Sequence, residues 1–264
     1  MIGLEPSVIW PRNNWCGAAY GQIFSDKRAV NEGELTEFIV ETAGLRFIMT
    51  EDHLRRGVDY VNPLEASSLA DIRLHIDHHI GDIFYHTPLI PRWIEMERVM
   101  RIISKLRFEP TLWERTHEFL QQKKLVDFIG VHIRKTDFGA NASDDKGLFK
   151  LLSGAPQLRF FVCSDDPDVE KRFNTLPNVV SYQKRAHVER RIEGDWNTPT
   201  LDHSGRLYAC NVERSAVSVE DALIDMLILA YSQILDSSNS TFRNSALLIK
   251  TALQLGIQTT SKVS

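Results

Sequence analysis

The residues best placed to do chemistry in this 264-residue chain are Gly130-Val131-His132-Ile133-Arg134-Lys135-Thr136-Asp137. An apolar run over 128–131 ends here in a burst of charge. In an open α/β sheet, ligands bind just beyond the carboxyl ends of the strands. A strand ending in His-x-Arg-Lys-x-Asp would set cationic donors where an anionic ligand sits. Arg134 can grip a phosphate with two parallel hydrogen bonds, which Lys135 cannot. The plainer reading of the same residues is an exposed ion-pair cluster, of the kind that often contributes little.

Three further constellations accompany it. Ser164-Asp165-Asp166-Pro167 also follows an apolar run. Its carboxylates could accept hydrogen bonds from ribose hydroxyls or a base amine, or could simply cap a helix. Asp221 and Asp225 lie one helical turn apart, and Asp225 sits inside the run Ala222-Leu223-Ile224-Asp225-Met226-Leu227-Ile228-Leu229. A carboxylate there is costly unless it is paired or hydrogen-bonded; a cation such as Arg134, a nucleotide base or backbone donors of a nearby loop would each satisfy it. Ser237-Ser238-Asn239-Ser240-Thr241 separates a short strand from a helix. Such a turn offers hydroxyls and backbone N–H groups at a helix N-terminus, suited to phosphate, and Ser240 is equally a plain N-cap. The patch His75-Ile76-Asp77-His78-His79 has two histidines four apart but no evident third ligand, so no metal site is expected. No phosphate-binding Gly-x-x-x-x-Gly-Lys-Ser/Thr and no Gly-x-Ser-x-Gly turn is present.

These motifs need a scaffold that brings strand ends together. After a helix over 111–123, from about residue 124, the pattern becomes regular: strands over 128–133, 159–163, 179–182 and 233–236, with helices over 145–152, 168–173, 219–231 and 241–255. Strands alternating with helices predict a largely parallel, doubly wound sheet. Before residue 108 the pattern is weaker, with short strands over 7–10 and 45–50 and a helix over 93–103. The expected division is an N-terminal lobe over 1–108 and a C-terminal lobe over 109–264. The segment 184–215 is long and polar and reads as a mobile cover for the site, with Arg190, Arg191 or Arg214 near any phosphates.

Composition narrows the functional classes. A net charge of −4 argues against general nucleic-acid binding, which leaves a basic footprint. Apolar residues at 43% and charged residues at 25% are ordinary for a globular protein. No apolar run is long enough to span a bilayer, and no signal peptide is expected. Cys16, Cys163 and Cys210 show no metal spacing and leave an odd count, which suits a reducing, cytoplasmic setting.

The order and spacing of the four elements resemble the donor-binding half of the GDP-fucose-dependent fucosyltransferase superfamily, which comprises α1,6-, α1,2- and protein O-fucosyltransferases and the bacterial nodulation-type enzymes. The resemblance covers roughly residues 106–255. His132-Ile133-Arg134-Lys135-Thr136-Asp137 resembles the family's first motif, His-x-Arg-Arg-x-Asp. Phe161-Val162-Cys163-Ser164-Asp165-Asp166-Pro167 resembles its second region, and Asp221 to Asp225 with Ser237 to Phe242 the third.

The resemblance implies an α/β, GT-B-like fold of two Rossmann-like lobes, with the N-terminal lobe shortened. It implies transfer of fucose from GDP-fucose to a glycan hydroxyl, inverting and without an essential metal or cofactor. By position, Arg134 would hold the β-phosphate and His132 would support the nucleotide or phosphate, the two catalytic candidates. Asp165, Asp166 and Asp225 would contact ribose or guanine or orient the loops; Ser238, Ser240 and Thr241 would bond the diphosphate. Lys135 stands where the family has a second arginine and keeps only its charge. The family's opening strand, Gly-rich loop and helix have no counterpart. Those two departures fit an alternative, a catalytically silent nucleotide- or glycan-binding relative; a same-fold transferase with another donor is a third reading. The implied partners are a sugar nucleotide and a glycan acceptor, with neither nucleic acid nor an integral membrane segment.

Overall fold

The structure, a computed structural model, describes residues 8–9, 16–25, 30–31, 46–49, 60–61, 83–86, 96–103, 105–135, 145–196, 198–201, 207–208, 211–235 and 240–255. In chain order the strands are β1 (Val8–Ile9), β2 (Val30–Asn31), β3 (Arg46–Met49), β4 (Tyr60–Val61), β5 (Ile83–His86), β6 (Ile129–Ile133), β7 (Phe160–Ser164), β8 (Val179–Val180), β9 (Thr200–Leu201), β10 (Leu207–Tyr208) and β11 (Gln233–Ile234). The helices are α1 (Tyr20–Ile23), α2 (Met96–Ile103), α3 (Pro110–Gln122), α4 (Asp145–Ser153), α5 (Pro167–Phe173), α6 (Ala216–Tyr231) and α7 (Thr241–Gln254). The expected elements of the C-terminal half are present, with ends displaced by a few residues.

Contacts divide the chain into two compact units, one made of Met1–Glu32 with Ile103–Ser264 and the other of Gly33–Ile102. This differs from the division expected at residue 108, because the first residues pack with the C-terminal half. Gly17 N–H donates to the Arg214 carbonyl at 2.9 Å, Ser25 N–H donates to the Arg107 carbonyl at 2.8 Å, and Glu109 N–H donates to the Ile23 carbonyl at 2.9 Å. The smaller unit holds a three-stranded parallel sheet with β3 between β4 and β5.

The larger unit is built on a four-stranded parallel sheet in the order β11-β6-β7-β8. The register pairs Ile129 with Phe160 and Ile133 with Ser164 across β6 and β7, and Ile234 with Gly130 across β11 and β6. Both faces are covered, as parallel sheets require. On one face Phe161 and Cys163 meet Phe119 of α3, Ile224 and Ile228 of α6, and Ala246 and Ile249 of α7. On the other, Val131, Ile133, Phe160 and Val162 meet Leu152 of α4 and Val169 and Phe173 of α5. The alternation along β7 follows from the two-residue side-chain period of a strand.

The chain runs from β6 outward through β7 to β8, then returns to lay β11 on the other side of β6. The direction of winding reverses between β6 and β11, and the crevice beyond the carboxyl ends at that reversal is where doubly wound sheets bind ligands.

Gly130 lets β6 and α6 approach closely. A Cβ there would lie 2.1 Å from Ser232 Oγ and 2.7 Å from Leu229 Cδ2. Gly130→Ala is therefore expected to destabilise the protein by about 1–3 kcal/mol through overpacking, read as a lowered midpoint in urea denaturation. An unchanged midpoint would show that α6 can retreat freely.

Candidate functional site

A cleft of about 340 Å³ lies at that reversal, lined by His132 of β6 and Arg134 just after it, Ser164 and Asp165 at the end of β7, Asp225 on α6, and Ser240 and Phe242 at the start of α7. Four stretches far apart in sequence thus meet at one place. His132 is buried and its ring stacks on Phe242, centroids 4.6 Å apart. Ser240 is the N-cap residue of α7, yet its hydroxyl makes no cap hydrogen bond. That Oγ is buried and has no hydrogen-bond partner among the described residues, which leaves it available to a ligand at the helix N-terminus.

Each of the other sequence-predicted residues has a definite place. The Lys135 backbone N–H donates to Asp165 Oδ1 at 2.8 Å, so Asp165 fixes the turn after β6. The Lys135 ammonium pairs with Asp145 at 3.1 Å, and Asp145 also takes Arg172 at 3.0 Å. Burial would raise the Asp145 carboxyl, but these two cations outweigh it and hold it below its ordinary range. Lys135 is thus stapled at both ends and does not line the cleft. Asp166 accepts from Asp168 N–H at 2.9 Å as the N-cap of α5, ahead of Pro167; this is the capping alternative. Ser238 lies outside the described residues, as do the Thr241 side chain, Thr136, Asp137 and the His75–His79 patch. No group of three or more His, Cys, Asp or Glu among the described residues is arranged to hold a metal.

Asp225 is 2% exposed. Its counter-ion is Lys184, not Arg134. The Lys184 ammonium lies 2.8 Å from Asp225 Oδ2, also meets Glu170 Oε1, and donates to the Ser164 carbonyl at 2.7 Å. Glu170 Oε1 in turn accepts the Ser164 N–H at 2.9 Å. His187 Nε2 lies 3.4 Å from Glu170 Oε2. One ammonium thus serves two buried carboxylates. Burial would lower the Lys184 pKa, but Asp225 and Glu170 outweigh it and raise it. Asp225 moves the other way from a normal ion pair: burial, with Glu170 adding to it, pushes its carboxyl up to about 7 against the pull of Lys184. Asp225 Oδ1 has no hydrogen-bond partner among the described residues. Asp221, one turn earlier and fully buried, is held by different cations, Arg115 at 2.7 Å and Arg185 at 2.9 Å, and accepts the Arg185 backbone N–H at 2.5 Å.

The described residues of the polar segment 184–215 pair with one another. β9 and β10 pair antiparallel, Glu189 and Glu213 form a further antiparallel bridge, and buried Asn211 bonds both the N–H and the carbonyl of Ile192. The three arginines expected near the phosphates go to different places. Arg191 pairs with Glu213 at 2.7 Å, Arg190 sits over the Trp196 ring at 4.9 Å, and Arg214 lines the cleft. Lys184, His187 and Cys16 also line it, and none of these was identified as a site residue from the sequence. For Lys184 the only signal was indirect, since Asp225 demanded a cation from somewhere. A larger polar groove of about 830 Å³ runs beside β8 between α3 and α5, but it holds none of the predicted residues.

With this geometry in hand, comparisons locate the fold. No protein-family model and no curated protein matches the chain. Among solved structures, the Se-Met form of the fucosyltransferase NodZ from Bradyrhizobium is similar, with a TM-score of 0.50 at 14% identity, covering 89% of this chain and 75% of that one. NodZ α-1,6-fucosyltransferase soaked with GDP-fucose gives a TM-score of 0.49 at 14% identity, covering 92% and 81%. NodZ co-crystallised with GDP gives 0.39 at 15% identity, covering 63% of this chain and 51%, about half, of that one. The first of these likenesses shows a fucosyltransferase-like fold, a helix-and-strand architecture on a parallel sheet. No helix among the described residues is long and apolar enough to cross a membrane.

The raised Asp225 pKa makes a signed prediction. In the unfolded chain Asp225 loses its proton near 3.8, in the folded state only near 7. Between those values the folded state binds more protons, so this group's contribution to stability is present at low pH and falls as pH rises, by at most about 1.4 kcal/mol per unit. Asp225→Asn removes that dependence. Relative to wild type, the variant should gain stability from about pH 4 to pH 7, measured by urea denaturation at several pH values. A constant difference would place the Asp225 pKa at its ordinary value.

Proposed function

We propose that this chain is a glycosyltransferase that moves fucose from GDP-fucose to a glycan hydroxyl, with inversion at the sugar carbon and without an essential metal. One observation carries the reading. The three regions that resemble the fucosyltransferase motifs contribute His132 and Arg134, Asp165, and Asp225 and Ser240 to a single cleft at the reversal of the sheet. The fold likeness to the fucosyltransferase NodZ supports it.

In this reaction the acceptor hydroxyl gives its proton to a base or to water, its oxygen bonds to the sugar carbon as the bond to the β-phosphate oxygen breaks, and the electron pair leaves with GDP. Negative charge grows on the diphosphate. Arg134 stabilises that charge through a fixed guanidinium, and the N-terminus of α7 with Ser240 adds N–H and O–H donors, a preorganised electrostatic contribution. Asp165 sets the backbone from which Arg134 projects. His132, stacked on Phe242, supports the nucleotide. The cationic side chains supply the charge compensation a metal would otherwise provide. A second lobe completing a GT-B arrangement and a cytoplasmic setting belong to the same proposal.

One feature favours a silent relative instead: the Lys135 ammonium is engaged by Asp145 and is not part of the cleft. Release of fucose from GDP-fucose to water separates the two, because a binding-only relative gives none.

GDP is expected to raise the thermal midpoint more than UDP or ADP, since ligand binding stabilises the folded state. Arg134→Ala should weaken GDP binding by about 1.5–3 kcal/mol, the range for hydrogen bonds to charged groups. Equal affinities in calorimetric titration would remove Arg134 from the site. Transfer from GDP-fucose should persist in excess EDTA; loss reversed by Mn²⁺ or Mg²⁺ would refute metal independence.

A further inference from the structure

We infer that the groove beside β8 receives an extended, acidic polypeptide segment of a partner, which joins the parallel sheet of the larger unit at its open edge. The inference does not depend on the nucleotide-sugar reading of the cleft. β8 ends the order of that sheet, and among the described residues no strand pairs with its far side. An edge strand offers a row of unpaired N–H and C=O groups to another chain.

The backbone on that side is free. Just before β8, the Asn178 carbonyl accepts the Phe160 N–H at 2.9 Å, so it faces β7. Backbone groups alternate in direction along a strand, which turns those of Val179 and Ser181 outward. The Val179 N–H is taken by the Leu176 carbonyl at 3.1 Å. From Ser181 to Lys184, no N–H or carbonyl pairs with another backbone group among the described residues. Side chains alternate over the same stretch. Val179 packs with Phe173 on the α5 side, and Val180 and Tyr182 pack with Phe119 on the α3 side. The chain is therefore extended as far as Tyr182. Ser181 falls on the α5 side, and its buried hydroxyl has no hydrogen-bond partner among the described residues.

The walls set the chemistry of the occupant. Arg115 and Glu170 line the groove but are engaged already, Arg115 by Asp221 at 2.7 Å and Glu170 by Lys184. Lys123 at the end of α3 and Lys171 of α5 are exposed and carry no ion pair among the described residues. Glu118 is likewise without one, which leaves one anion against two cations. A strand seated between the helices sends alternate side chains toward each wall. Acidic residues on its two faces thus meet Lys123 and Lys171. In this mode of recognition main-chain hydrogen bonds supply affinity, and the side-chain contacts supply specificity.

The test is selection of random octapeptides displayed on phage against the full chain, followed by fluorescence titration of the enriched sequences as free, end-blocked peptides. The enriched peptides should be rich in aspartate and glutamate. N-methylation of alternate peptide amides in one register should weaken binding about 10-fold, and in the other register by less than about twofold, because only alternate N–H groups face the edge. The Ser181 amide should become protected from hydrogen exchange when peptide is bound. The double variant Lys123→Glu with Lys171→Glu should bind the acidic peptides about 10-fold more weakly. Its circular dichroism and thermal midpoint are recorded to establish folding; if it does not fold, the N-methylation register decides. Failure to enrich any peptide, enrichment of basic or uncharged peptides, equal effects of the two N-methylation registers, or an unprotected Ser181 amide overturns the inference. So does a folded double variant that binds as wild type. A concentration-dependent dimer in sedimentation, with the Ser181 amide protected and no peptide added, assigns the edge to a second copy of this chain and overturns the acidic-partner reading.

Discussion

The Lys184 ammonium is the point on which the rest of the larger unit turns. Its side chain is 5% exposed, and it bonds Glu170 of α5, Asp225 of α6 and the carbonyl of Ser164 at the end of β7. The strand end and the helices on opposite faces of the sheet are thereby tied by one charge. Buried ion pairs are costly to form, and removing one partner of a formed pair leaves an uncompensated charge that costs about 3–5 kcal/mol. The cluster is thus less a source of net stability than a fixed point. It ties the end of β7, α5 and α6 together at the mouth of the cleft.

The same logic runs outward from that point. Asp221 lies one turn from Asp225 but answers to Arg115 on α3 and Arg185 next to Lys184. Adjacent residues 184 and 185 thus reach two successive carboxylates on α6, and the segment leaving β8 is bound along that helix. On the other side, Asp145 joins Lys135 to Arg172, tying the loop after β6 and α4 to α5. Doubly wound sheets host many chemistries. What gives this cleft its particular character is its charged lining: Asp165 accepting the Lys135 N–H, Asp225 paired with Lys184, and Arg134 and Arg214 beside them.

Much of the larger unit was legible in the sequence because its strands are buried on both faces and read as unbroken apolar runs, each closed by polar residues. That is true of the stretches around Val131 and Val162. Buried Asp225 was legible too, since a carboxylate among leucines and isoleucines has few solutions. Its partner was not. Gln183-Lys184-Arg185 reads as the start of a solvated segment, and nothing local distinguishes a lysine folded inward from one in water. The cation was sought in Arg134, which the motif made conspicuous. The contribution of residues 16–25 was equally hidden. Their partners, Arg107, Glu109 and Arg214, are remote in sequence, and no periodicity records a long-range contact. Asp166 carried two readings that the sequence could not separate, and its bond to Asp168 N–H shows it in the capping role.

The hydrogen bond from Gly17 to Arg214 also bears on the order in which the molecule can assemble. Synthesis proceeds from the N-terminus, so residues 16–25 leave the ribosome long before α6 exists to receive them. Their apolar side chains, Ala18, Tyr20 and Ile23, wait without a partner surface while the intervening unit is made. The contact closes a loop that encloses most of the chain, a slow kind of closure whose entropy is lost before any local reward arrives. Residues 107–113 supply the first partners, and the docking is complete only once α6 has been made.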